Sequence, residues 1–199
     1  MTSQWESADR AASVSLVLDR GVRHLALNAL WLALSLTIAG LPAATVALHA
    51  VVKEWSEGDE RPVVGRFLAS LRAYAARGTI LCVAAASLLA LVGVNLWLTS
   101  LMGTQRTGAA IAVIAVGIPL LLVTVMIPSA VVDASDLRST VALAFRRSVM
   151  SPAACVLALV LLVAVLISAL WQPFLLFLTP SLAVRVHRGL LGRIDPFAP

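Results

Sequence analysis

Charge is what this chain has least of. Only 13% of its 199 residues are charged while 60% are hydrophobic, and a soluble fold of this size would not cover so much apolar surface with so few ionic groups. Lysine is almost missing: Lys53 stands alone beside fourteen arginines. That imbalance suits bidentate phosphate contacts, but a GC-rich coding sequence produces it more simply. Cysteine is scarce too. Cys82 and Cys155 lie in apolar runs without a second thiol or histidine at ligand spacing, so they read as small packing residues rather than parts of a disulfide framework or zinc site. There is no phosphate-binding glycine loop, metal-ligand cluster or nucleophile elbow. The long apolar runs contain no Asp, Glu, Lys or Arg, so the paired titratable groups of acid–base chemistry, or of a proton-coupled transporter, are missing. His24, His49 and His187 fall near the ends of those runs and read as interfacial. No enzyme activity, cofactor or metal is expected.

What is present is hydrocarbon-compatible sequence, with a mean hydropathy of +0.97. The expected fold is all-α, a polytopic transmembrane helical bundle forming a single domain over 1–199 in a cell membrane. The net charge of +5 and pI near 10.6 do not imply nucleic acid. The basic residues flank apolar runs, where they contact anionic headgroups of the bilayer.

Membrane segments are expected at 24–52, 79–102, 109–132 and 153–184. The first carries a stripe every seven residues, Asn28, Ser35, Pro42 and His49, with Trp31 and Thr45 beside it. A helix drifts only ~20° per heptad, so these six form a candidate polar intramembrane face, one that packs on neighbouring helices or lines a solute path. Pro42 is expected to kink this span and free the carbonyl of Ile38. Residues 1–23 lack the features of a signal peptide and read as an interfacial helix with Trp5 at headgroup level.

Two amphipathic helices are expected on the cytoplasmic side. In 61–77, Val63, Val64, Phe67, Leu68, Leu71, Tyr74 and Ala75 share one arc, and Arg61, Arg66, Arg72 and Arg77 the other. Phe67, Leu71, Tyr74, Arg66, Arg72 and Arg77 are the candidate interfacial or partner-contacting residues, whether the helix lies in the membrane plane or in a partner's groove. In 133–150, Leu137, Val141, Phe145 and Val149 recur every four residues, with Asp133 and Asp136 expected to cap the amino end. Asn95 is expected to bond a neighbouring helix near the membrane surface.

The last run, 32 residues, would be about 48 Å long as one helix, more than the hydrocarbon thickness. A break is expected at Trp171–Pro173, with Pro180 a second one, so the four long segments become five if it splits. Charge counting favours the split. With single crossings, eight basic residues face the cytoplasm and seven do not; returning the tail to the cytoplasm makes this eleven against four.

The residues also resemble the YesL family of bacterial polytopic membrane proteins, whose function is uncharacterised. The likeness runs through Asn28 and Trp31, the segment Pro42-Ala43-Ala44-Thr45-Val46-Ala47-Leu48, the turn Glu57-Gly58-Asp59, and Phe67, Tyr74 and Arg77. Thr37 and His49 depart from the family pattern, which tends to a proline and an aromatic there. The resemblance implies a bacterial inner or plasma membrane and an association with carbohydrate uptake, and it supplies no catalytic residues. The expected role is an accessory or scaffold component bound to a membrane transport complex. The alternative is a small homo-oligomeric transporter of a neutral or weakly polar solute.

Overall fold

A computed structural model describes residues 2–37, 40–58, 62–101 and 106–194. The described residues form seven α-helices and no strand: α1 Thr2–Ser35, α2 Gly40–Ser56, α3 Val63–Ser100, α4 Arg106–Asp133, α5 Leu137–Met150, α6 Pro152–Trp171 and α7 Thr179–Ile194, with a 3-10 turn at Pro173–Phe177 between the last two. Arg61 and Ile38 lie outside the described residues, as does the side chain of Trp5.

The first apolar run is a hairpin rather than one kinked span. Trp31 Nε1 donates to Thr45 Oγ1 at 3.2 Å, and the rings of His24 and Trp55 meet edge to face at 5.1 Å. On a straight helix Trp31 and Thr45 would stand about 21 Å apart. Thr37 and Gly40 make the turn. Thr37 Oγ1 donates to Leu34 O and accepts from the Gly40 N–H, and a Cβ on Gly40 would collide with the Leu34 carbonyl oxygen. Pro42 therefore falls in the first turn of α2, where the N–H it lacks is one that a helix start leaves without an intrahelical partner. Residues 2–23 are not a separate interfacial helix either, since α1 continues through them without a break.

Fewer helices are fit to cross a membrane than the four segments expected. Two, α3 and α4, are long and apolar enough on their own, and α5 with α6 pass together only as a pair bent by 101°. The amphipathic 61–77 segment is also not separate: α3 runs unbroken from Val63 to Ser100, 38 residues, or about 57 Å. Its first half therefore projects beyond a ~30 Å hydrocarbon layer. Gly78 lets it pass close to α2, since a Cβ there would stand 2.8 Å from Val46 Cγ2.

The last run breaks at Gln172 and again at Leu178. After the second break α7 turns back, so that Leu191 packs in one core cluster with Ala154, Cys155 and Ala158 near the start of α6. The hairpins thus bring the basic segments of α1, α2, α3, α5 and α7 together at one end of the bundle, hereafter the polar end. The opposite ends carry exposed apolar groups such as Leu36, Leu101 and Trp171.

Polar side chains along the apolar helices mostly satisfy their own backbone. Asn95 Nδ2 donates to Leu91 O at 2.8 Å, rather than to a neighbouring helix. Thr99, Thr124 and Ser168 bond the carbonyl four residues back, which removes a hydroxyl that lipid could not satisfy.

Candidate functional site

The polar end is built around Asp133. Sequence spacing puts this residue at the start of a helix, but it is the last residue of α4, and Asp136 alone caps α5 through a reciprocal pair of bonds with Ser139. Those bonds hold the Asp136 carboxyl below the usual carboxylate range. Asp133 instead points inward, 4% exposed, against three cations: Lys53 Nζ at 2.9 Å, Arg147 Nη1 at 2.8 Å and Arg188 Nη1 at 3.5 Å. One carboxylate so ties α2, α5 and α7 to the end of α4. Buried charges persist only when paired and hydrogen-bonded, and each of these helices supplies a partner that its own neighbours could not.

Arg147 reaches Asp133 because α5 is inside out by the standards of a soluble helix. Thr140, Ala144, Arg147 and Ser148 are buried, whereas Leu137, Val141, Phe145 and Val149 face away from the bundle, Phe145 being 57% exposed. An outward apolar stripe on a helix lying across the bundle end suits the membrane interface.

An ion pair and a hydrogen bond tie the first half of α3 to its neighbours. Arg66 Nε lies 3.3 Å from Glu54 Oε2, and Arg77 Nη1 donates to Ala134 O at 2.9 Å while its guanidinium sits over the Tyr74 ring. Arg66 is thus buried instead of on a solvated polar face, and Phe67 is fully buried among Leu27, Leu48 and Val51. Leu71 and Tyr74 are half-buried against the cores. Of the six residues expected to touch lipid or a partner, Arg72 is the exposed one; Val64 and Leu68 are the exposed apolar residues of that segment.

The heptad stripe is distributed over two helices. Asn28 clamps the second break in the last run: its Nδ2 donates to Phe177 O at 2.8 Å, and its Oδ1 accepts from the Ser181 N–H at 2.9 Å. The start of α7 leaves the Ser181 N–H unpaired, and the end of the 3-10 turn leaves the Phe177 carbonyl. Beside it, His24 Nδ1 lies 2.8 Å from Ser181 Oγ and His24 Nε2 lies 3.5 Å from Arg185 Nη1. Arginine only donates, so Nε2 accepts and Nδ1 carries the proton. Thr45 takes the Trp31 bond and itself donates to Leu41 O. His49 is buried with its ring edge-on to His187 at 6.0 Å. Burial, with Arg188 and Arg147 close by, lowers His187 to about 4, so it is neutral at physiological pH.

Above this layer a cavity of about 590 Å³ opens between α1, α2 and α7, lined by Arg20, Arg23, His24, Trp55, Arg185 and Arg188 together with smaller residues. Its described lining contains no carboxylate. Neither the cavity nor the Asp133 cluster was legible from local sequence, because their residues come from positions 20 to 192. The one local signal is Arg147, which shares a helical face with Thr140 and Ala144, opposite the apolar stripe. Among the described residues no group of three His, Cys, Asp or Glu is placed to hold a metal ion.

Residues 25–96 match the family model described as a protein of unknown function, DUF624, the YesL-type family. The match covers α2, most of α3 and the end of α1 that carries Asn28 and Trp31. No curated protein matches the chain, and no solved structure does.

Proposed function

We propose that the chain is a YesL-like, multi-pass protein of a bacterial plasma membrane, without catalytic activity, that serves as an accessory or scaffold component of a carbohydrate uptake system. One observation carries the reading: three polar side chains of the first apolar run, Asn28, Trp31 and Thr45, are committed to holding helices together. Asn28 is bonded on both sides of its amide to the break before α7, and Trp31 and Thr45 are bonded to each other across the hairpin. A solute path along Asn28, Ser35, Thr45 and His49 needs those groups on one open face, which the hairpin does not provide. This favours the scaffold over the transporter.

The orientation follows from charge. Described basic residues from Arg20 to Arg193 lie at the polar end, Arg106 at the start of α4 excepted, and such a bias supports a cytoplasmic polar end. The exposed apolar faces of α3, α4 and α6 then meet lipid or partner helices.

The test is purification of the tagged full-length protein from native membranes in mild detergent, with co-purifying chains identified and their stoichiometry measured. Stoichiometric recovery of sugar-importer subunits is the expected result. Recovery of this chain alone, as a defined oligomer that passes a neutral solute when reconstituted in vesicles, overturns the proposal.

A further inference from the structure

We infer that the cavity between α1, α2 and α7 is a binding site for a phosphate-bearing anion, with Arg185 and Arg188 as its principal ligands and Arg20 and Arg23 at its mouth. The inference stands on the cavity and does not depend on the scaffold role.

The charge balance comes first. Arg20, Arg23, Arg185 and Arg188 line one cavity, with Lys53 and Arg147 behind Arg188. The carboxylates near them are few. Asp19 pairs with Arg23 at 2.8 Å on the exposed side of α1, Asp133 is shared by three cations, and Glu57 acts on Arg188 only through space. Among the described residues, six basic groups against three acids leave an excess of positive charge around a concave site, a setting that holds an anion strongly.

Arg188 supplies the stereochemistry. Its Nη1 faces Asp133, while its Nε and Nη2 are buried and have no hydrogen-bond partner among the described residues. Nε–H and Nη2–H are the parallel pair on one edge of the guanidinium, the fork that grips two oxygens of a phosphate or carboxylate. A buried donor pair left unsatisfied is costly, and here it borders a cavity. Arg185 stands one turn earlier on the same helix, oriented by its contact to His24. Several guanidiniums converging on one space suit an anion with three or four outward oxygens better than a single carboxylate.

The shape allows more than an inorganic ion. About 590 Å³ lies within the range of small-molecule sites, and Trp55 gives one wall an aromatic surface. Gly189 and Gly192, one turn apart on α7, line the space, and a Cβ on either would meet nothing within 4 Å. Glycines in a helix interior where alanine would fit cost helix stability, and here they keep the cavity open. Two sources carry the required chemistry: the headgroup of an anionic phospholipid, reached from the adjacent membrane surface, or a soluble phosphate ester from the aqueous side.

The experiment uses the full chain in a neutral detergent and follows its thermal unfolding midpoint against three probes: inorganic phosphate, glycerol 3-phosphate, and phosphatidylglycerol in mixed micelles with phosphatidylcholine as the matched control. A saturable rise with at least one probe is expected. A rise with phosphate or its ester identifies a soluble ligand, and a rise with phosphatidylglycerol alone identifies a lipid headgroup. Arg185→Gln and Gly189→Leu, the second filling the cavity without touching the Asp133 cluster, should each weaken the effect at least tenfold while keeping the unliganded midpoint. No saturable rise with any probe, or a rise that both variants retain in full, overturns the inference.

Discussion

Asn28 and Ser181 are 153 residues apart in the chain, yet the Ser181 N–H donates to Asn28 Oδ1 at 2.9 Å while the other half of the same amide donates to Phe177 O. One side chain thus closes a donor and an acceptor exposed where the last apolar run breaks. Asn28→Ala orphans the fully buried Ser181 N–H, at about 1–3 kcal/mol, and takes the partner from the part-buried Phe177 carbonyl. The midpoint of unfolding in detergent should fall well below that of the parent. Asn28→Asp should be as damaging, because a carboxylate cannot donate to the Phe177 carbonyl; if Asn28→Asp unfolds like the parent, the clamp does not hold the break.

The Asp133 cluster is asymmetric, and its variants should rank accordingly. Asp133→Asn removes the one anion from among Lys53, Arg147 and Arg188, leaving three buried cations in mutual repulsion, so a loss at or above about 3–5 kcal/mol is expected. Lys53→Met keeps Asp133 paired with two arginines and should cost clearly less. Denaturation of the two variants side by side checks the order, and equal losses would show that Asp133 is not the hub.

Much of this architecture was readable from the chain, and the failures have physical causes. The apolar run at 109–132 and the amphipathic helix expected over 133–150 stood out in the chain, although the structure begins the second at Leu137. Length required a break in the last run, and Trp171, Gln172 and Pro173 marked its place. The first run misled because Asn28, Ser35, Pro42 and His49 share a heptad, and a heptad is one face only if the helix is continuous. Thr37, Gly40 and Pro42 are as good a turn signal as a kink signal, and only the Trp31–Thr45 contact separates the two. The basic arc of 61–77 misled differently: Arg66 looks solvated on a helical wheel, but Glu54 on α2 draws it inward and carries Phe67 into the core with it. Asp133 was misplaced because its three partners lie at 53, 147 and 188, where no local window reaches.

The hairpin changes which membrane face sees the amino-terminal segment. If 24–52 crossed once, Arg20 and Ser56 would lie on opposite sides; both line the same cavity. In a chain whose native cysteines have been replaced, Arg20→Cys, Ser56→Cys and Arg193→Cys should all react with a membrane-impermeant thiol reagent from one face of sealed vesicles. Labelling of the first two from opposite faces would restore the single crossing.

His187 gives the fold a pH dependence of definite sign. In the folded chain it takes its proton only near pH 4, whereas an unfolded histidine does so near 6.5. Between those values the unfolded state holds more protons, so stability is full above about pH 6.5 and falls as pH drops toward 4, by about 3 kcal/mol at the bottom of the window. Burial, Arg188 and Arg147 oppose the charging of the ring, and His49 lies edge-on to it. Unfolding midpoints between pH 7.5 and 5 should decline in the parent and decline less in His187→Gln, which cannot charge. An identical slope in both would assign the dependence to another group.

Gly78 and Val46 test the packing of α3 on α2 directly. A methyl group on Gly78 would come within 2.8 Å of Val46 Cγ2, whereas Cβ atoms at Gly65 and Gly93 of the same helix meet nothing within 4 Å. Alanine is favoured over glycine inside a helix by about 1 kcal/mol, so Gly65→Ala and Gly93→Ala should leave the protein unchanged or slightly more stable. Gly78→Ala gains the same propensity but forces two helices apart at their closest approach, and overpacking of this kind costs about 1–3 kcal/mol. It should therefore be net destabilising. Val46→Ala removes the clashing methyls and leaves a small void. Combined with Gly78→Ala, the new methyl fills that void, so the double variant should be more stable than the sum of the single effects predicts. Strict additivity would mean that α2 and α3 do not meet at these two residues, and the hairpin packing that positions Lys53 against Asp133 would lose its support.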